Sequence, residues 1–300
     1  MIRTAKAQSS AGWTRQQDER AHKQQQRIGK GIIYGLLLLG ASVFMLPLIV
    51  MISTSFKSFN EINSYPPTFL PNTWLPENYL NAWSFPNTDF PRWTMNTIII
   101  LAASLPGVLL TSSLCAYGFA RLRFPGRNAW FLAVLASIML PPQVTLIPLY
   151  ILFYRLGWLD SFLPLVVPPW FGGGALNIFL IRQFFMQIPR DLDEAALIDG
   201  ASHFTIWRKI YLPLSRPVMV TVALLTILTT WNDFLGPLIY LTSPRNYTLA
   251  LGLNMFQGLF ITRTDYIMAI SSLMVIPMIL LFIFAQRYIV RGFVTSGLKG

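Results

Sequence analysis

The sequence is poor in the residues that catalytic and metal chemistry most often use. It has one cysteine, Cys115, two histidines far apart in the chain, His22 and His203, and twelve acids among 300 residues. A lone cysteine forms no intramolecular disulfide, and two separated histidines offer no metal-ligand cluster. Charged side chains make up only 12% of the chain, about half the share found in soluble globules, which excludes an ordinary soluble domain. No G-x-x-x-x-G-K-[ST] phosphate loop occurs, and Gly172-Gly173-Gly174 lacks the lysine and lies in an apolar stretch. What is abundant is apolar: 54% hydrophobic residues and a mean hydropathy of +0.51.

A helix crosses the roughly 30 Å hydrocarbon core with about 20 residues. Uncharged windows of that length predict spans near 32–52, 94–119, 129–149, 161–182 and 267–287, with a sixth near 217–240 interrupted only by Asp233. The expected fold is therefore an all-α polytopic membrane protein of about six transmembrane helices. The net charge of +11 suggests nucleic acid until its distribution is read. With the N-terminus inside, 18 of the 23 Lys and Arg fall on inner segments. Only Lys57, Arg92, Arg155, Arg245 and Arg263 fall outside. That bias is the positive-inside rule at work, which leaves no case for nucleic acid and puts both termini in the cytoplasm.

Residues 1–30 form a polar basic arm, expected to be disordered or a short surface helix. The apolar stretch after it is longer than a signal-peptide core and is read as an uncleaved first span. Residues 53–91 carry six prolines and read as an extended, structured outer loop; 242–265 is a shorter one.

The inner loop 188–213 reads as two short helices. Asp191 as N-cap and Glu194 three residues on have capping-box spacing. Gly200 stands where a left-handed residue ends a helix, and Ser202 where the next is capped. The second helix, about 203–211, carries Phe204, Trp207 and Ile210 on one side and Arg208 and Lys209 on the other, with Pro213 ending it. Periodicity alone leaves three roles open: lying in the headgroups, packing on the chain's own helix ends, or docking into a groove on a soluble partner.

Residue order separates them. Glu194-Ala195-Ala196, then Gly200, Ile210 and Leu212-Pro213, resembles the EAA signature of permease subunits in binding-protein-dependent ABC importers. The similarity is greatest to the second, six-span subunit of maltose-type carbohydrate permeases. Tyr117-Gly-Phe-Ala-Arg-Leu-Arg-Phe-Pro-Gly126, Pro141-Pro-Gln-Val-Thr-Leu-Ile-Pro148, Trp231-Asn-Asp-Phe234 and Gly297-Leu-Lys-Gly300 resemble further phrases of that family, and the arm 1–30 lies outside the likeness. The resemblance implies that 188–213 is a cytoplasmic coupling loop seated on a separate ATPase. Glu194, Ala195, Ala196, Gly200, Phe204, Trp207, Ile210, Leu212 and Pro213 are its coupling residues. It also implies a second permease, two ATP-binding subunits that hold ATP and Mg, an extracytoplasmic solute-binding protein, a sugar-like solute and the plasma membrane of a prokaryote. The chain itself is then non-catalytic and carries no cofactor.

Asp233 is the one acid inside a span, where an ionised carboxylate facing lipid costs several kcal/mol. Trp231, Asn232 and Asp233 are accordingly candidate pathway residues, with an aromatic plane and polar groups suited to a sugar. The same residues fit an interhelical clamp without solute contact. A rival reading is a stand-alone ion-coupled secondary transporter with Asp233 as its ion site. A membrane-embedded enzyme lacks any clustered His, Cys, Ser or carboxylate set.

Overall fold

The computed structural model describes the backbone of residues 2–257 and 262–294 and the side chains of 29–257 and 262–286. The ending Gly297-Leu-Lys-Gly300 lies outside the described residues. Among those described the fold is helical, with only an isolated bridge between Gln257 and Thr262. The first helix, α1 (Ile2–Ser55), is continuous through the basic arm. The arm is thus helical along its length and runs on into the first apolar segment. In the apolar segment Gly29–Ser55 the most hydropathic window has no buried residue, and Phe44 is 86% exposed. Such a surface is stable only against lipid or another apolar partner.

A short helix, α2 (Glu77–Trp83), precedes the central element, α3 (Phe90–Arg121). Asp89 caps α3 by accepting from the Arg92 amide at 3.2 Å, and Pro91 occupies its first turn, where the missing N–H costs nothing. At about 1.5 Å per residue these 32 residues run the depth of a bilayer with a turn or more to spare.

The expected third span, 129–149, is broken. It forms α4 (Arg127–Ser137) and α5 (Pro142–Arg155), meeting at 93°. The cause is Pro141-Pro142, because a residue before proline is pushed out of the helical region and Pro141 has ψ 132. The expected span 161–182 starts as one turn, Leu163–Val166, followed by Pro168–Trp170, and continues as α6 (Ala175–Gln187) after Gly172-Gly173-Gly174. All three glycines have positive φ, and a Cβ on Gly173 would lie 2.5 Å from the Val108 carbonyl, so this break needs glycine to lie against α3.

In the loop 188–213 come α7 (Asp191–Ile198) and α8 (His203–Leu214). α8 meets α9 (Arg216–Trp231) at 80°. The expected span 217–240 is also interrupted: α9 stops at Trp231 and α10 (Leu235–Tyr240) resumes after a non-helical Asn232 and Asp233. The last helix, α11 (Thr264–Val294), is continuous. Among the described residues, four segments are long and apolar enough to cross a membrane, and up to six if each bent pair is one span.

Helix α3 packs along α6 and α9, while α11 packs on α1, α2 and α9. Two cores result, one at each end of α3. One gathers Phe90, Trp93, Trp231, Phe256, Tyr266 and Ile270; the other gathers Tyr117, Phe185, Ile206, Trp207 and Tyr211.

Candidate functional site

The loop 188–213 hangs on the Arg121 end of α3. Helix α7 opens with Asp191 as its first helical residue and Arg190, which makes no side-chain cap, before it. The expected capping box between Asp191 and Glu194 therefore does not form. Both acids, with Asp193, instead occupy the first turn, where the positive end of the helix dipole favours them. The close of α7 is as expected. Gly200 has φ +79, its amide donates to Leu197 O at 3.0 Å and the Ala201 amide donates to Ala196 O at 2.9 Å, the paired bonds of a Schellman turn. Ser202 then caps α8 by accepting from the Thr205 amide at 3.3 Å.

Pro213 does not end α8. The helix passes through it to Leu214, and the five residues Trp207–Tyr211 widen into a π turn, with the Leu212 amide donating to Trp207 O. A proline inside a helix lacks a donor and crowds the carbonyl four residues back; the wide turn before it accommodates both effects. The turn also decides which side chains face in. Ile206, Trp207 and Tyr211 are 1%, 4% and 0% exposed, packed against Tyr117, Ile181 and Phe185. Trp207, expected as an outward anchor, is a core residue. Ile210, Leu212 and Ala196 are partly buried against the same core. Glu194, Ala195, Gly200, Phe204 and Pro213 are exposed. The apolar surface that the loop presents is formed by Ile198, Phe204, Leu197 and Leu192, of which Ile198 is 86% and Phe204 58% exposed.

Three residues outside the expected set hold this loop. Arg121, its side chain 5% exposed, donates from Nη2 to Phe185 O at 2.6 Å and to Ile188 O, and its Nε lies 3.6 Å from Asp193 Oδ2. The Tyr211 hydroxyl donates to both Asp193 oxygens, at 2.7 and 2.9 Å. The guanidinium lies 5.1 Å from the Tyr211 ring centroid, a cation–π contact. Burial, together with those bonds to the acid, pushes the Tyr211 pKa above the ordinary tyrosine value, so its hydroxyl stays a donor. The signal for Arg121 and Asp193 lay in the sequence, since one belongs to the phrase 117–126 and the other precedes Glu194. Their meeting across the fold was not readable.

The residues Trp231, Asn232 and Asp233 do not converge. Trp231 is buried and its indole donates to Met274 O at 3.3 Å. Asn232 is exposed and donates to Leu228 O at 2.8 Å. Asp233 turns back on the break it occupies, accepting from the Gly236 amide at 3.2 Å. It lines a cavity of about 60 Å³ with Thr97, Thr230, Pro237 and Thr248, room for a few waters and not for a sugar ring. Trp231 and Asp233 thus do not present an aromatic plane and a carboxylate to one space. Among the described residues, no cluster of His, Cys, Asp or Glu has metal-binding geometry.

Residues 109–295 match the family described as binding-protein-dependent transport system inner membrane component. The trehalose/maltose transport system permease protein MalG of Thermococcus litoralis is 34% identical over 276 residues, covering 90% of this chain and 96% of that protein. The sn-glycerol-3-phosphate transport system permease protein UgpE of Salmonella choleraesuis is 33% identical over 267 residues, 87% of this chain and 94% of that protein. Among solved structures, a bacterial ABC transporter that imports the acidic polysaccharide alginate has a chain of similar fold. Its TM-score is 0.73 at 24% identity, covering 86% of this chain and 95% of that one.

Proposed function

The chain belongs to the binding-protein-dependent transport system inner membrane component family, as a permease subunit of an ABC importer for a sugar or related polar solute, and from that premise we propose how its parts divide the work. The loop 188–213 is the surface on which a separate ATPase docks. The helices lining the broken spans form half of a translocation pathway, the other half coming from a second permease. Two ATP-binding subunits hold ATP and Mg and perform the hydrolysis; this chain is non-catalytic. A solute-binding protein outside the membrane delivers the solute. The loop and both termini face the cytoplasm of a prokaryotic cell in this reading, which the positive-inside bias supports.

The observation that carries this reading is the construction of the loop. Ile198 and Phe204 are presented to the surroundings while the helices that bear them are tied to α3 by the buried Arg121. A helix lying freely in headgroups needs no such tether. A surface that passes movement from an ATPase to a membrane-spanning helix does. Movement of the loop then tilts α3 and reaches the opposite core through it.

Gly200→Asp forces a side chain into positive φ at a cost of about 1–2 kcal/mol, with nothing within 4 Å of the new Cβ to clash. That strain is too small to unfold the bundle. The variant is expected to insert and to pair with the second permease normally, while retaining less ATPase on co-purification. Undiminished ATPase retention and uptake would remove the loop from the coupling path. Orientation has its own check: with Cys115 replaced, a cysteine at Asn246 is expected to react with an impermeant thiol reagent on intact cells and one at Ser202 is not.

A further inference from the structure

Between the exit of α3 and the start of α4 the chain reads Arg121-Leu-Arg-Phe-Pro-Gly-Arg127, and the turn at Gly126, φ +72, opens an exposed cavity of about 480 Å³. Arg123 and Arg127 line it from this turn and Arg190 lines it from the start of the loop 188–213. No acidic residue lines it. Among the described residues, the ion pairs are Arg92 with Asp89, Arg121 with Asp193 and Arg263 with Asp265, so none of the three cavity arginines is matched by an acid. Arg127 makes one hydrogen bond, from Nη1 to Leu122 O at 3.2 Å. The cavity also meets the first turn of α4, where Gly126 provides no side-chain cap and the amides of Asn128 and Ala129 have no backbone acceptor. Three arginines and the uncapped first turn of a helix bordering one space suit an anion with several oxygens, and guanidiniums bind phosphate through paired N–H donors.

The depth of the cavity says which anion. One turn along α4, Trp130 is 65% exposed, and beyond it Leu132 and Met139 are 66% and 84% exposed. An exposed tryptophan at the start of an apolar, outward-facing helix marks the level of lipid headgroups. The mouth of the cavity is therefore at that level, where basic pockets between membrane helices hold lipid phosphates.

We propose that this cavity binds the phosphate of an anionic lipid headgroup, bridging Arg123 and Arg127 on the α3–α4 turn to Arg190 at the base of the loop. The bridge fastens the loop to the membrane surface at a second point besides Arg121, and its importance for transport rests on the loop's role proposed above. Binding itself does not.

The purified complex, in nanodiscs of phosphatidylcholine with or without phosphatidylglycerol, is examined by native mass spectrometry for retained lipid. Wild type is expected to keep phosphatidylglycerol in preference to phosphatidylcholine. Arg123→Gln and Arg190→Gln are each expected to lower that retention about fivefold, and Arg155→Gln, an equal charge change at an exposed site far from the cavity, is expected to leave it unchanged. Photoactivatable phosphatidylglycerol is expected to label the segment 121–130. Three results overturn the proposal: equal loss in Arg155→Gln, labelling elsewhere only, or competition by inorganic phosphate as effective as by lipid, which makes this a soluble-anion site. A fourth does so too, namely lipid retention unchanged while Arg123→Gln and Arg190→Gln release the ATPase, which makes the arginines a protein contact. Loss of lipid with uptake intact upholds the site and shows that the Arg121 attachment suffices for transport.

Discussion

The two ends of helix α3 are held in opposite ways. At the Phe90 end the attachment is redundant and mostly neutral. The Trp93 indole donates to Pro244 O at 2.7 Å, and the Asn96 amide donates to Arg245 O and Tyr247 O, each at 2.9 Å. Thr97 Oγ1 accepts from the Leu249 amide at 2.9 Å, and rings from Phe85, Phe90, Trp93, Phe256 and Tyr266 interlock. Asp160 adds a clamp on the same segment, accepting from the amides of Thr242 and Ser243 at 3.0 and 2.9 Å and from the Ser243 hydroxyl. At the Arg121 end, polar attachment of the loop runs mainly through one guanidinium, one carboxylate and one phenol, with a single further hydrogen bond between the Tyr117 hydroxyl and His203 Nδ1 at 3.3 Å. An end built from many partly independent contacts yields gradually; one built on a single hub switches between held and released. The second design suits a part that must transmit movement.

The sharpest way to break this contrast is Arg121→Met. It removes a charge that is 5% exposed, takes the side-chain donor from Phe185 O and Ile188 O, and leaves Asp193 with only the Tyr211 hydroxyl. Removing one partner of a buried ion pair costs about 3–5 kcal/mol. The loss is expected to fall on the loop alone: limited proteolysis should cut near 190–213 while the rest stays protected. Arg121→Lys should not restore retention of the ATPase, because a single ammonium cannot span two carbonyls and a carboxylate. Equal protection of the loop in Arg121→Met would show that its apolar packing suffices and that the hub is dispensable.

A smaller effect is expected at the other end from Asp160. Although its burial opposes ionisation, the hydrogen bonds from Ser243, Thr242 and Asn246 hold its carboxyl well below the usual carboxylate range. A depressed folded pKa means that the clamp's contribution is fully present above the unfolded value, near 3.9, and is lost as pH falls through the folded one. Between pH 5 and 8 the segment 242–256 should therefore resist proteolysis equally, and it should loosen only below about pH 4. Asp160→Asn should remove that acid sensitivity and lower protection modestly, since the neighbouring Asn96 and Trp93 bonds remain. Acid sensitivity unchanged in Asp160→Asn would assign it to another group.

How far the sequence foretold this contrast depends on whether the determinant is local. The glycine turn at Gly200 and the cap at Ser202 are decided within a few residues, and both are present as read. The apolar windows coincide with the four to six segments long and apolar enough to cross a membrane, because hydropathy reports environment directly. It does not report straightness: Pro141-Pro142 and the Asn232–Asp233 break cut two windows without making them less apolar. The orientation of α8 was misread for a related reason. A period of 3.6 residues places Phe204 and Trp207 together, and their rings do lie 5.2 Å apart, but the period does not say which edge of the helix meets the core: Trp207, with Tyr211 brought in line with it by the π turn, is buried, and Phe204 lies at the exposed edge. The hub joins Arg121 to residues far along the chain, and no local pattern encodes that meeting.

Under the proposed function, the exposed face of the loop receives the ATPase. Truncating Ile198 and Phe204 together to alanine removes mostly exposed apolar surface, apart from the contact of the Phe204 ring with Trp207 at 5.2 Å, so thermal stability of the purified permease pair should change by about 1 kcal/mol or less. Trp207→Ala, by contrast, should cost about 3–5 kcal/mol, as a truncated core tryptophan does. The measurement is solute-stimulated ATP hydrolysis by the assembled complex in nanodiscs, with ATPase titrated against the Ile198→Ala/Phe204→Ala permease. The expected result is an apparent affinity for the ATPase weakened on the order of 30-fold or more, with stimulation lost at ATPase levels that saturate wild type. Wild-type affinity and full stimulation in that double variant would contradict the claim and leave the loop as a helix lying on the membrane surface.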